Sequence, residues 1–206
     1  MRISSSIMAV ALAALTTGCG SSSPSTGGGA TPPRGMKIAV IAKSSTNPVF
    51  LSARTGAESA AKELSAAHNV PVEIAWMTPP TEGGQVQAQP VPQAVNVSAT
   101  AVLISCSDAG KVTGAINDAV ARGVAVMTFD SDAPESRRFA FYGVDDVKTG
   151  AAVMDELAKQ MNERGSIAIL AGNQNAPNLR KRVDGVKQAA TKYPNMKIVD
   201  TFYHVE

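Results

Sequence analysis

Apolar residues along this chain fall into short unbroken runs, separated by longer segments in which they recur every third or fourth position. Residues 37–42, 72–77, 101–106, 124–129 and 166–171 are runs of the first kind. They lack polar alternation, which marks strands covered on both faces. Between them, Ala53, Ala57, Ala60, Ala61 and Leu64 give residues 50–67 one small apolar face, suited to close packing of a helix on a sheet. Val112, Ala115, Ile116, Ala119 and Val120 do the same for residues 110–122, and Ala151, Ala152, Met154, Leu157, Ala158 and Met161 for residues 148–164. Ser44-Ser45-Thr46-Asn47-Pro48, directly after the first run, is a turn and helix-start signature. Strand and helix in alternation predict an α/β fold built on a doubly wound parallel sheet.

Two stretches break the rhythm. Residues 85–100 occupy a helix slot but carry Pro90 and Pro92, and an interior proline costs a helix about 3 kcal/mol. The spacing therefore predicts a helix shortened to residues 93–99. After the fourth run, Asp130-Ser131-Asp132-Ala133-Pro134 forms a turn, and residues 137–143 read as a second extended piece with no helix in between. Two strands in succession predict a crossing between lobes near residues 142–146. The domain reading is an N-terminal α/β lobe over residues 37–142 and the start of a second, incomplete α/β lobe over residues 143–206.

The chain before residue 37 has a different character. Arg2 is the only charge ahead of an apolar run at residues 7–15, too short to span a bilayer but suited to the core of a secretory signal. Leu15-Thr16-Thr17-Gly18-Cys19 resembles a bacterial lipobox, which implies a signal peptide at residues 1–19 and a lipid on Cys19; an ordinary signal cut near Gly18 is the alternative. Residues 20–36, rich in Ser, Gly and Pro, cannot bury enough apolar surface to offset their ordering entropy and read as a flexible tether.

Composition narrows the function classes. With 19 Lys and Arg against 17 Asp and Glu, a net charge of +2 and 4% aromatic residues, the chain has neither the phosphate-neutralising surface nor the stacking platform that nucleic-acid binding draws on. Cys19 and Cys106 have no second Cys or His at metal-ligand spacing, so no metal site and no disulfide framework is expected. Cys106, inside an apolar run, reads as a buried, inert thiol. Phosphate-binding glycine loops and nucleophile elbows are missing from the sequence, and His68 and His204 stand in polar settings without acid–base partners. No cofactor and no catalytic residue is expected. Asp130 and Asp132 are either paired acids or acceptors for ligand hydroxyls, because an open α/β sheet binds its ligands at the carboxyl ends of its strands.

Four motifs in order carry a family resemblance: Ser45-Thr46-Asn47-Pro48-Val49-Phe50 after the first strand, Phe129-Asp130-Ser131-Asp132-Ala133-Pro134 after the fourth, Tyr142-Gly143-Val144-Asp145-Asp146 at the crossing, and residues 171–185 around Arg180 and Arg182. From residue 37 onward the chain resembles the ribose-binding-like sugar-binding proteins of the periplasmic-binding-protein type I family. The resemblance implies a two-lobed hinge protein that closes on a monosaccharide or similar small polyol. It also implies delivery to the permease of an ABC transporter, at an extracytoplasmic location and anchored to the membrane by the N-terminal lipid. A sugar- or autoinducer-binding sensor domain that docks a receptor kinase is the second reading. Carried over by position, Asn47 and Phe50 match residues that hydrogen-bond and stack on the sugar, Asp130 the hydroxyl-binding carboxylate, and Arg180 the Arg of the second lobe; Asp132 either helps the site or fixes the loop. Ser131 stands where ribose-specific members have Arg, which implies a monosaccharide other than ribose.

Each of these residues also has a plain structural reading. Asn47 can cap a helix, Asp130 can close a turn, and Trp76 can belong to the core. Arg137 and Arg138 read as solvated charges. Arg180 and Arg182 near a helix start oppose its dipole, so a compensating anion is expected beside one of them. Family members continue beyond the position of Glu206. The resemblance therefore implies a truncated or fragmentary chain, with residues 197–203 as an exposed apolar edge strand.

Overall fold

The structure is a computed structural model that describes residues 35–204; the signal, the lipobox Cys19 and most of the tether lie outside the described residues. The chain opens with strand β1 (Met36–Ile41) and helix α1 (Pro48–His68). α1 begins where Asn47 accepts the Val49 N–H at 2.9 Å, with Pro48 in the first turn, where its missing N–H is no loss. It ends at Asn69, in the left-handed region at φ 51°.

β2 (Val72–Trp76) leads into two short helices, α2 (Gly84–Ala88) and α3 (Pro90–Asn96). Here the expectation of one helix at residues 93–99 is corrected. Pro90 and Pro92 both lie in the first turn of α3, where no i−4 hydrogen bond is lost, so the prolines start a helix rather than shorten one. β3 (Ala101–Ile104), α4 (Ala109–Ala121), β4 (Ala125–Phe129) and β5 (Ala140–Tyr142) follow. Then come α5 (Asp146–Gln160), β6 (Gly165–Ala171), α6 (Pro177–Ala190) and β7 (Met196–Tyr203). α5 stops four residues short of the predicted end because Asn162 and Glu163 take positive φ, 52° and 58°.

All strand pairings are parallel and form two sheets, a five-stranded one in the order β2-β1-β3-β4-β5 and a two-stranded one, β6-β7. α1 carries the chain from β1 one way to β2, and α2 to α4 carry it back the other way to β3 and β4. Right-handed crossovers then place α1 on one face and α2 to α4 on the other. Ala39, Ile41, Val102, Ile104 and Val126 bury against Val91 and Ala94 of α3 and Val112 and Ile116 of α4 in one core. Val40, pointing to the opposite face, is also buried, as are Phe50 and Ala61 of α1.

The two-stranded sheet has its own smaller core of Met154, Ala158, Ile167, Ala189 and Met196. There α5 and α6 cross at backbone contact. A Cβ at Gly150 would run into the Arg182 carbonyl, and one at Gly185 into the Val147 carbonyl.

Candidate functional site

Parallel strands bring all their carboxyl ends to one edge of a sheet, and in this chain that edge gathers the charged groups. Lys43 and Ser44 follow β1, Ser105 follows β3, and Asp130 and Asp132 follow β4. Asn178, in the first turn of α6, reaches the same place from the other sheet. Asp130 holds the left-handed backbone at φ 56°, uncommon for a side chain other than Gly, while its N–H donates to the Tyr142 carbonyl at 3.0 Å. Strain of that kind persists only where the surroundings fix it.

Three side chains close a network around Asp130. Its Oδ2 accepts the Ser105 hydroxyl at 2.7 Å and lies 3.3 Å from Lys43 Nζ. Its Oδ1 accepts Asn178 Nδ2 at 3.0 Å. Lys43 Nζ in turn donates to Asn178 Oδ1 at 3.0 Å. The orientation of the Asn178 amide follows from its partners, since the Leu179 N–H also donates to Oδ1. Lys43 and Asn178 are buried, 5% and 3% exposed, whereas the Asp130 side chain keeps a third of its surface open. Buried Gln87 braces the strand ends beneath, donating to the Ala42 and Ser105 carbonyls and accepting the Ser107 N–H at 2.8 Å.

Asp132 is engaged differently. Arg138 grips it with a two-pronged contact, Nε to Oδ1 at 2.6 Å and Nη2 to Oδ2 at 2.7 Å, while the Thr128 hydroxyl and the Ala133 N–H donate to Oδ1. Burial works to raise the carboxyl's pKa, but the hydrogen bonds from Arg138, Thr128 and Ala133 outweigh it and hold it below the ordinary carboxylate value. The expectation that Arg138 is a solvated surface charge is corrected, because this partner draws the side chain inward to 21% exposure. Cys106 lies nearby as a free, buried thiol; burial, with the Asp132 charge adding to it, pushes its pKa up to about 12. No thiolate forms there at neutral pH.

The remaining predicted residues are scattered around this network. Asn47 is half-buried and caps α1; Phe50 is buried in the first turn of α1, and Val49 beside it is exposed. Arg180 is exposed, and its guanidinium has no hydrogen bond or ion pair among the described residues. The compensating anion expected near the start of α6 belongs to Arg182, which donates to Asp146 Oδ1 at 2.8 Å. Trp76 is half-buried under the Arg54 guanidinium, 5.7 Å from its ring centre. Sequence reasoning missed Lys43, Ser105 and Asn178. The signal for Lys43 was its position one residue past an apolar run, on the edge where such sheets bind ligands. An open apolar groove of about 390 Å³ between α5, β6 and α6 offers only the already paired Arg182 as a charged group, so the strand-end network is the better candidate for a binding site.

Comparisons with known proteins agree with this topology. The family model described as a periplasmic binding protein domain matches residues 38–206. The D-apiose import binding protein of Actinobacillus succinogenes is 26% identical over 168 residues, 79% of this chain and 50% of that protein. The ribose import binding protein of Escherichia coli is 27% identical over 157 residues, 76% of this chain and 50% of that protein. This chain thus spans about half the length of the curated relatives it matches. Among solved structures, an ABC transporter solute-binding protein from Burkholderia graminis in complex with D-arabinose superposes with a TM-score of 0.76 at 30% identity, covering 82% of this chain and 56% of that one. XylFII in the XylFII–LytSN complex gives 0.74 at 33% identity, covering 83% and 60%.

Proposed function

We propose that this chain, which belongs to the periplasmic binding protein domain family, binds a monosaccharide or similar small polyol at the strand-end network and delivers it to the permease of an ABC transporter. The observation that carries this reading is the Asp130 carboxylate, held by Lys43, Ser105 and Asn178 yet a third open. A fixed carboxylate beside buried donors suits hydroxyl groups, each of which donates one proton and accepts another. Relatives named for ribose and apiose import, and a neighbour solved with D-arabinose, support the ligand class.

In this reading the five-stranded sheet, residues 37–142, is one lobe and residues 143–206 belong to a second. Asn47 and Phe50 line the first lobe's side, Arg180 approaches from the second, and Asp132 holds the loop that presents Asp130. The work is binding rather than catalysis. Residues 1–19 act as an export signal, the lipid on Cys19 holds the protein to the membrane outside the cytoplasm, and residues 20–36 tether the binding part. The similarity to XylFII, solved in complex with LytSN, keeps a second reading in view, a sensor that docks a receptor instead of a permease.

Calorimetric titration with D-ribose, D-apiose and D-arabinose tests the ligand class. Asp130→Asn, which keeps the shape but replaces a charged acceptor, should weaken binding of the preferred sugar roughly 5- to 150-fold, matching about 1–3 kcal/mol for an unmatched polar group. Equal affinity in the two proteins would demote Asp130 to a turn residue, and heat from none of these sugars would overturn the monosaccharide reading. Cys19→Ala should release the protein from membranes; unchanged fractionation would replace the lipid anchor with plain secretion.

A further inference from the structure

We infer that Lys43 is a positioning residue that ties the two sheets together across the crevice, its charge held by Asp130 and its ammonium fixing the Asn178 amide at the start of α6. Lys43 is 5% exposed at the end of β1, and an ammonium so far from water needs a compensating charge and full hydrogen bonding. Asp130 supplies the charge at 3.3 Å and Asn178 Oδ1 an acceptor at 3.0 Å. Because Asn178 Nδ2 returns to Asp130 Oδ1 at 3.0 Å, all three pairs of the triangle are closed. The triangle spans 135 residues of sequence between Lys43 and Asn178 and joins the five-stranded sheet to α6, which packs on the other. Ser105 fastens Asp130 to the end of β3, and Gln87 fastens the ends of β1 and β3 to each other, so on this side the triangle stands on a rigid base.

On the α6 side the hold is different. Asn178 has Lys43, Asp130 and the Leu179 N–H as its partners. Without the ammonium, Asn178 Oδ1 keeps only the Leu179 N–H of its own helix, and of the triangle only the bond from Asn178 Nδ2 to Asp130 Oδ1 still crosses between the sheets. Another side-chain contact between the same regions, Asn173 Nδ2 to Glu82 Oε1 at 3.3 Å, is longer and less buried. Lys43 therefore supplies one of the triangle's two bonds across the crevice and orients the amide that makes the other. Its cation is neutralised within the pair, so it acts as a shared donor, not as an attractor of anions.

The test needs no ligand, so its outcome is independent of the sugar reading. On a Cys19→Ala background, exposed Lys62 on α1 and exposed Lys159 on α5 are replaced by Cys and spin-labelled. Buried Cys106, with its pKa raised to about 12, stays unlabelled. The label-to-label distance is then measured by pulsed electron resonance, alongside amide exchange. Lys43→Met keeps the stem and removes the charge. It should lengthen and broaden the distance distribution and speed exchange in the first turn of α6 at least tenfold, leaving β1 and β3 within threefold. Asn178→Ala, which removes both bonds across the crevice, should go at least as far, and the double variant should go no further than Asn178→Ala alone, the mark of one shared interaction. Should Lys43→Met fail to fold around an uncompensated Asp130, Lys43→Met with Asp130→Asn removes both charges, and the same widening is expected. An unchanged distance distribution in the folded variant would overturn the inference, and so would equal loss of protection in β1, β3 and α6, which would make Lys43 an ordinary member of the first core.

Discussion

The middle strands of the five-stranded sheet lose both edges and both faces to neighbours, and Ile41, Val102 and Ile104 are 0% exposed. In the two-stranded sheet the face toward α5 and α6 is covered only in part, beside an open groove, and Leu170, Val199 and Phe202 remain 83%, 55% and 54% exposed. Both are built from the same strand–helix–strand unit, so the difference lies in burial and not in local propensity. The division matters for the site. Lys43, Ser105, Asp130 and Asp132 all stand on the strand ends of the better-buried sheet, and Asn178 comes from the helix packed on the other. Charged groups that must hold a fixed geometry belong on the stiffer support, and the part that opens at lower free energy supplies the contacts that can move.

The sharpest way to break this comparison is to delete the same kind of side chain from each sheet. Ile104→Ala empties a fully buried position between α3 and α4 and should cost about 2–5 kcal/mol in denaturant unfolding. Leu170→Ala removes a side chain that is mostly in water, with an expected effect within about 0.5 kcal/mol. Comparable losses at the two positions would mean that the outer face of β6 is covered in solution and that the contrast between the sheets is false.

A second experiment sharpens it through glycine. Gly150→Ala puts a methyl group into the Arg182 carbonyl where α5 and α6 touch, and the overpacking should cost about 1–3 kcal/mol. Gly114→Ala in α4 meets nothing within 4 Å and should gain roughly 0.5–1 kcal/mol from helix propensity alone. The same substitution thus changes sign between the two parts. Amide exchange should show the Gly150 loss confined to α5, α6, β6 and β7; a loss shared by β1 and β3 would show that the two cores unfold as one.

The alternation of strands and helices was legible because runs covered on both faces and three-four spacing are properties of single segments. Pro90 and Pro92 misled because the pattern shows that a proline disfavours a helix interior, while only the observed boundary tells that both stand in a first turn. The site was half legible for a related reason. Asp130 sits in a turn motif that a linear reading can find, but Lys43 and Asn178 are 135 residues apart and acquire meaning only when two elements bring them to 3.0 Å. Arg138 illustrates the same limit: six residues from Asp132, it reads as a surface charge until the loop folds its guanidinium back onto the carboxylate. Neither its spacing nor its residue type announces that pairing.

The smallest effect expected to separate the two parts is their response to acid and salt. Asp132 has its pKa lowered from the ordinary value of 3.8, with burial opposing and the hydrogen bonds from Arg138, Thr128 and Ala133 prevailing. A carboxyl whose folded pKa is depressed contributes stability that is present above its unfolded value and is lost as pH falls through the folded one. Protection of β4 amides should therefore hold down to about pH 4 and decline below it. Asp132→Asn should start from lower protection at neutral pH and lose less on acidification. In the two-stranded part, Asp155 is also lowered, by hydrogen bonds from Lys192 and Tyr193, but its side chain is 39% exposed. Water and ions reach that pair, so 1 M salt should weaken the acid response of α5 while leaving that of β4 nearly unchanged. An acid response of β4 as sensitive to salt as that of α5 would show that the Asp132–Arg138 pair is solvated and that the loop presenting Asp130 is looser than its hydrogen bonds indicate.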